Sequence, residues 1–131
     1  MSTELYLVGW ILLLAVVHVL LAAYMRNRET GAAYNVGPRD EQGPPVGRVT
    51  GRLRRAQANL FETMPVIVAA LIVAHVTGRE GVLTLSAAIL YLIARIAYLP
   101  LYAAGIPVFR SIVWLVSLIG VLMAILAILI P

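Results

Sequence analysis

The sequence predicts an all-α integral membrane protein, a four-helix bundle that forms one transmembrane domain over residues 1–131. Three observations support this prediction. Hydrophobic residues make up 62% of the chain and charged residues only 12%, and the mean hydropathy is +0.95. The apolar residues fall into four continuous runs, and arginines cluster beside two of the connections between them. A soluble domain of this length cannot bury so much apolar surface, so a multi-span membrane protein is expected.

The first span is predicted at about residues 5–25. It follows an acidic stretch, MSTE, instead of the basic region that opens a secretory signal peptide, and no A-x-A cleavage site precedes a polar segment. We therefore expect this run to be retained as a membrane helix.

The first connection, residues 26–52, is the only long polar stretch of the sequence. It contains the pairs Gly37-Pro38 and Pro44-Pro45, which are typical of turns and loops. A loop is therefore predicted between the first and second spans.

Three further spans are predicted at about residues 53–76, 82–104 and 107–130. Each has about 20 residues or more, the length that crosses a hydrocarbon core of roughly 30 Å. The links TGREG and AGIP are tight, and Pro107 suits the first turn of the last helix. Because lipid offers no hydrogen bonds to the backbone, these continuous runs favour helices over strands.

The arginines predict the orientation of the bundle. All ten basic residues are arginine, and most of them lie beside the first and third connections. Those beside the first connection are Arg26, Arg28, Arg39, Arg48, Arg52, Arg54 and Arg55. The positive-inside rule places these connections in the cytoplasm and both termini outside, with the bacterial inner membrane as the expected location. Topology thus accounts for the net charge of +4, and no nucleic-acid partner is expected.

The second span begins with polar side chains that hydrocarbon does not accept. Arg55, Asn59 and Glu62 lie within about 60° of one another on one helical face. The third span carries a similar stripe, with Tyr91, Arg95, Tyr98 and Tyr102 within about 60°. We expect both polar faces to turn away from lipid.

Arg110, at the start of the fourth span, lies at the same end of the bundle as these two faces. The polar groups of the two faces, together with Arg110, allow two interpretations. One is a cluster of ion pairs and hydrogen bonds, such as Glu62 with Arg95, that holds helices or subunits together. The other is a pocket for a small, multiply charged ligand, in which arginines bind carboxylates and Glu62 binds an ammonium group. The excess of arginine over glutamate favours an external anion.

The stretches RLRRAQANLFETMP and ARIAYLPLYAAGIPVFRSIVW resemble the second-helix and third-to-fourth-helix regions of the MAPEG family, the membrane-associated proteins of eicosanoid and glutathione metabolism. The second-helix signature matches at Arg55, Asn59, Glu62 and Pro65. The likeness extends over the whole chain, including four spans and a long first loop.

This resemblance implies a homotrimer that binds glutathione between neighbouring subunits, as cosubstrate or ligand. It assigns glutathione binding to Arg55, Asn59, Glu62, Arg95, Tyr98 and Tyr102. It assigns thiolate stabilisation, the catalytic role, to Arg110. The activity implied is that of a glutathione transferase or peroxidase acting on lipophilic substrates.

Alternatives to this activity stay open at the level of the sequence. The polar cluster could instead be an inter-subunit lock, or a site for a lipid head group or a protein partner, in a non-catalytic membrane protein. No metal site is expected, because cysteine is absent and the two histidines lie on different helices. His18 is expected to form a hydrogen bond between helices.

Overall fold

The computed structural model describes residues 1–41 and 43–130, and these form five helices. They are α1 (Thr3–Thr30), α2 (Ala32–Val36), α3 (Arg48–Val76), α4 (Val82–Ala104) and α5 (Pro107–Leu129). All except the short α2 are long and apolar enough to cross a membrane, and the described residues contain no strand. The predicted all-α membrane fold is therefore confirmed.

The helices extend further into the first connection than the apolar runs suggest. α1 continues to Thr30 and ends at Gly31, whose φ of 84° suits a residue without a side chain. α3 already begins at Arg48, and α2 lies within the segment predicted as a loop. Beyond the hydrocarbon, arginine and glutamate side chains are solvated, so a helix need not end where its apolar run ends.

Side-chain hydrogen bonds fix the connection between α1 and α3. The Glu29 carboxylate accepts the backbone N–H of Gly47 at 2.7 Å and the hydroxyl of Thr50 at 2.8 Å. The Tyr34 hydroxyl donates to the backbone carbonyl of Glu41 at 2.8 Å. Glu29 therefore joins the last turn of α1 to the first turn of α3.

α3 and α4 form the centre of the bundle, since α3 contacts α1, α4 and α5, and α4 contacts α1, α3 and α5. Gly120 allows an unusually close approach of α5 to α4. A Cβ atom at this position would lie 3.0 Å from the Ala87 carbonyl oxygen and 3.2 Å from the Tyr91 backbone nitrogen. Large apolar side chains remain exposed on the outer helices, such as Leu20 on α1 and Ile119 on α5, as expected for surfaces that face lipid.

The bundle has two ends that differ in charge. We call the end where α1 finishes, α3 begins and the α4–α5 turn lies the arginine-rich end. The opposite end carries the start of α1, the α3–α4 turn and the last turn of α5. At the opposite end, Glu80 accepts a hydrogen bond from the Ser2 hydroxyl at 2.6 Å and lies 3.1 Å from Nδ1 of His75. Ser2 is also the N-cap of α1, so Glu80 links α1 to the α3–α4 turn.

This link predicts a pH-dependent contribution to stability. The Ser2 hydroxyl, with a smaller contribution from His75, holds the pKa of Glu80 below its usual range. A depressed folded-state pKa stabilises the fold above the unfolded-state pKa, and that contribution is lost as pH falls through the folded-state value. We expect the melting temperature of Glu80→Gln in detergent to lie below that of the unmodified protein at neutral pH, and the difference to disappear in acid. A difference that stays constant over this range would contradict the assignment.

Candidate functional site

A cavity of about 420 Å³ lies at the arginine-rich end, between α3, α4 and α5. The α3 segment from Arg55 to Glu62, the last turns of α4 and the first turns of α5 meet there, which brings polar residues from three helices together. The lining residues are Arg55, Ala58, Asn59, Glu62, Tyr98, Tyr102, Arg110, Ser111 and Trp114.

Tyr102 links the two arginines of the cavity. Nε of Arg55 donates a hydrogen bond to the Tyr102 hydroxyl at 3.2 Å. The guanidinium of Arg110 lies 4.8 Å from the centroid of the Tyr102 ring, within cation–π range. The Tyr98 ring packs against Tyr102 with centroids 5.5 Å apart. These contacts hold two positive charges against the aromatic wall that Tyr98 and Tyr102 form.

Arg95 lies behind this wall with no exposed surface. Its Nη1 donates to Oδ1 of Asn59 at 2.7 Å, and its Nη2 donates to the Thr63 hydroxyl at 2.9 Å. The rings of Tyr98 and Tyr91 lie 4.9 and 5.6 Å from the guanidinium carbon. Neutral groups and aromatic rings therefore surround a charge that a carboxylate would ordinarily neutralise.

The Glu62 side chain is exposed and lines the cavity. Among residues 1–41 and 43–130, the only side-chain ion pair within 4.0 Å joins His75 to Glu80, so neither Arg55 nor Arg95 forms one with Glu62. The Glu62–Arg95 ion pair considered from the sequence is thus not formed among the described residues, whereas Arg95 does donate hydrogen bonds to Asn59 and Thr63 and so joins α4 to α3. The Glu62 carboxylate therefore has no cationic partner within 4.0 Å among these residues.

The structure brings six of the seven predicted site residues into one cavity. They are Arg55, Asn59, Glu62, Tyr98, Tyr102 and Arg110. Arg95 does not line the cavity and touches it through Asn59, so its direct contact with a ligand stays a prediction. The roles of all seven residues in binding or catalysis also stay predictions.

Sequence reasoning did not include Thr63, Ser111 or Trp114 in the site. Thr63 lies four residues after Asn59, on the same helical face, and this spacing could have identified it. Ser111 and Trp114 follow Arg110 on α5, but only packing decides which α5 side chains face the cavity. The Ser111 hydroxyl donates to the Pro107 carbonyl at 3.0 Å, a bond back to its own helix.

His18 has a different environment from the one expected. It is buried in α1, and neither ring nitrogen has a hydrogen-bond partner among the described residues. The expected hydrogen bond between helices is therefore not formed there. Within the same residues, no three histidine, aspartate or glutamate side chains are placed to bind a metal ion.

These features define a multi-pass α-helical membrane protein with a cavity lined by arginine and tyrosine at one end of its bundle. A model of the MAPEG family matches residues 7–130. The chain therefore belongs to the MAPEG family, membrane proteins of the kind that act in glutathione and eicosanoid metabolism. The comparison with curated proteins gave no match.

Proposed function

We propose that this cavity binds glutathione between neighbouring subunits of a homotrimer, on the cytoplasmic side of the membrane. The bound thiol would be ionised and would conjugate a lipophilic electrophile or reduce a lipid peroxide that enters from the bilayer. The observation that carries the proposal is the charge pattern of the cavity, where, among the described residues, Arg55 and Arg110 have no carboxylate partner within 4.0 Å and Glu62 has no cationic one.

Glutathione has the complementary charges. At neutral pH it carries two carboxylates and one ammonium group, and arginine binds carboxylates through two parallel hydrogen bonds. Arg55 would bind one carboxylate of the tripeptide, Glu62 its ammonium group, and Asn59 a carbonyl or carboxylate oxygen. A cavity of about 420 Å³ lies within the size range of small-molecule sites.

Arg110 would stabilise the thiolate. The thiolate is the nucleophile in both reactions, and a neighbouring cation favours the ionised form. In conjugation, sulfur forms a bond to the electrophilic carbon, the electron pair leaves with a leaving group or moves to an electron-withdrawing substituent, and the thiol proton is released to water. In peroxide reduction, two molecules of glutathione supply the electrons and become the disulfide, while the peroxide becomes an alcohol and water.

The exposure of Glu62 supports an oligomer. A carboxylate that faces hydrocarbon is disfavoured, by about 2.5–3.5 kcal/mol at the bilayer centre on insertion scales, so the exposed Glu62 needs a cover other than lipid. A neighbouring subunit that closes the cavity would cover Glu62, and so would the bound ligand. If the polar groups instead served only as a lock between subunits, partners for Glu62 and Arg55 would come from the neighbouring chain alone.

Calorimetric titration of the detergent-purified protein with glutathione tests the proposal. We expect saturable binding with a dissociation constant between about 1 µM and 1 mM, the range typical of enzyme substrates. Mass analysis of the same sample should give three chains in each particle. Conjugation of 1-chloro-2,4-dinitrobenzene then reports whether the bound thiol reacts. A folded oligomer that releases no heat with glutathione would exclude this ligand.

A further inference from the structure

A continuous chain of hydrogen bonds runs behind the cavity wall. The Tyr91 and Thr63 hydroxyls lie 2.8 Å apart, Nη2 of Arg95 donates to Thr63 at 2.9 Å, and Nη1 of Arg95 donates to Asn59 at 2.7 Å. Of these four residues, only Asn59 lines the cavity. The other three therefore affect the site through Asn59.

Thr63 occupies the centre of this network. Its oxygen has two lone pairs, so it can accept from Arg95 and still bond the Tyr91 hydroxyl. Tyr91 is fully buried, and the close approach of α5 at Gly120 packs directly against its backbone and Cβ. The Thr63 hydroxyl is thus fixed by the buried Tyr91, and it in turn fixes one nitrogen of the Arg95 guanidinium.

The network determines which atoms of Asn59 face the cavity. A guanidinium can only donate hydrogen bonds, so the amide oxygen of Asn59 must face Arg95. The amide NH₂ group is then left for the cavity. Without this constraint the amide could rotate by 180°, and its oxygen would oppose the oxygens of an anionic ligand.

We infer that Thr63 and Tyr91 are positioning residues, which orient the Asn59 amide through Arg95 so that the cavity offers a hydrogen-bond donor to the ligand. This inference rests on the proposed function for its ligand, glutathione. The orientation of Arg95 and Asn59 can be measured without any ligand, so the two proposals fail separately.

Three threonine variants test the role of Thr63 in binding. Thr63→Val keeps the shape of the side chain but removes the acceptor for Arg95. We expect glutathione to bind about tenfold more weakly, because the Asn59 amide is then no longer held with its NH₂ group toward the cavity. Thr63→Ser should restore affinity to within about twofold. The matched control is Thr84→Val, which removes another buried hydroxyl, the one that donates to Glu4 at 3.0 Å at the opposite end. It should leave the affinity unchanged.

A double-mutant cycle separates positioning from general destabilisation. If Thr63 acts through Asn59, Thr63→Val should have no further effect on affinity in an Asn59→Ala background. In a Glu62→Gln background its effect should persist, because Glu62 lies outside the network. Equal effects in both backgrounds would overturn the inference. Tyr91→Phe, which keeps the ring, provides a second variant if Thr63→Val does not fold.

Nuclear magnetic resonance with ¹⁵N-labelled arginine and asparagine gives the ligand-free measurement. In Thr63→Val and Tyr91→Phe, we expect the order parameter of the Arg95 Nε–H group to fall and the chemical shifts of the Asn59 side-chain NH₂ group to change. Neither quantity should change in Thr84→Val. Unchanged signals in both variants would refute the positioning role, whether or not glutathione binds. Changed signals with no glutathione binding by the unmodified protein would refute only the proposed function.

Discussion

Replacing Arg110 by leucine is expected to lower kcat/KM for glutathione conjugation by about 100-fold or more, the usual effect of removing one group that stabilises a developing or resident negative charge. Arg110 lines the cavity and stacks on Tyr102 at 4.8 Å. Its charge is therefore held at a fixed place beside the proposed thiol. Leucine leaves an apolar side chain at this position and removes the charge, its hydrogen-bond donors and the stacking on Tyr102.

The measurement combines turnover with the near-ultraviolet absorbance of bound thiolate. In Arg110→Leu the thiolate signal should disappear at neutral pH and return only in more alkaline solution, while S-methylglutathione, which has no ionisable thiol, should bind to within a fewfold of its normal affinity. Arg48→Leu is the matched control, because Arg48 is exposed at the start of α3 and lies outside the cavity lining. A variant that retains full turnover and thiolate absorbance would remove Arg110 from the mechanism.

Glu62→Gln is expected to weaken glutathione binding by about 10- to 100-fold, which corresponds to the 1.5–3 kcal/mol contributed by a hydrogen bond to a charged group. Glutamine keeps the size of the side chain but cannot balance the charge of an ammonium group. The described part of the subunit contains no cationic partner within 4.0 Å of Glu62, so the change breaks no ion pair within the subunit. Thermal stability should therefore change little.

A glutathione analogue that lacks the amino group identifies what Glu62 recognises. This analogue should bind the unmodified protein and Glu62→Gln with similar, weak affinity, because the two changes remove the same interaction. Glu41→Gln is the control, since that side chain lies in the exposed loop and only its backbone carbonyl is hydrogen-bonded. If Glu62→Gln dissociates the oligomer while the dissociated chains bind glutathione normally, the residue is an inter-subunit lock and not part of a binding site.

The same two helical faces also illustrate how far spacing alone can predict a site. Arg55, Asn59 and Glu62 share a face because an α-helix turns about 100° per residue, and this relation is independent of the other helices. The structure retains it, since all three line one cavity. On the third span, spacing also predicted which residues share a face, but it did not predict how deeply each side chain is buried. Tyr98 and Tyr102 reach the cavity, whereas Arg95 is turned into the bundle behind Asn59.

Partner choice among charged groups was the least predictable feature. Sequence spacing made Glu62 with Arg95 a reasonable ion pair, but in the structure Arg95 bonds Asn59 and Thr63 instead. A pairing across helices depends on rotation and axial register, and small differences in either change which atoms come within 3 Å. The MAPEG resemblance could name the residues of the site without determining this register.

The sequence by itself predicted the number of spans, the helical class and the two polar helical faces. These properties follow from local chemistry, because hydrocarbon excludes polar groups and a helix repeats every 3.6 residues. Only the tertiary structure decided which polar groups meet, that Arg95 is buried without a carboxylate, and that Thr63 and Tyr91 orient it. Those outcomes depend on how closely neighbouring helices approach, as at Gly120 beside Tyr91, and close approach is a property of packed surfaces that no single helix contains.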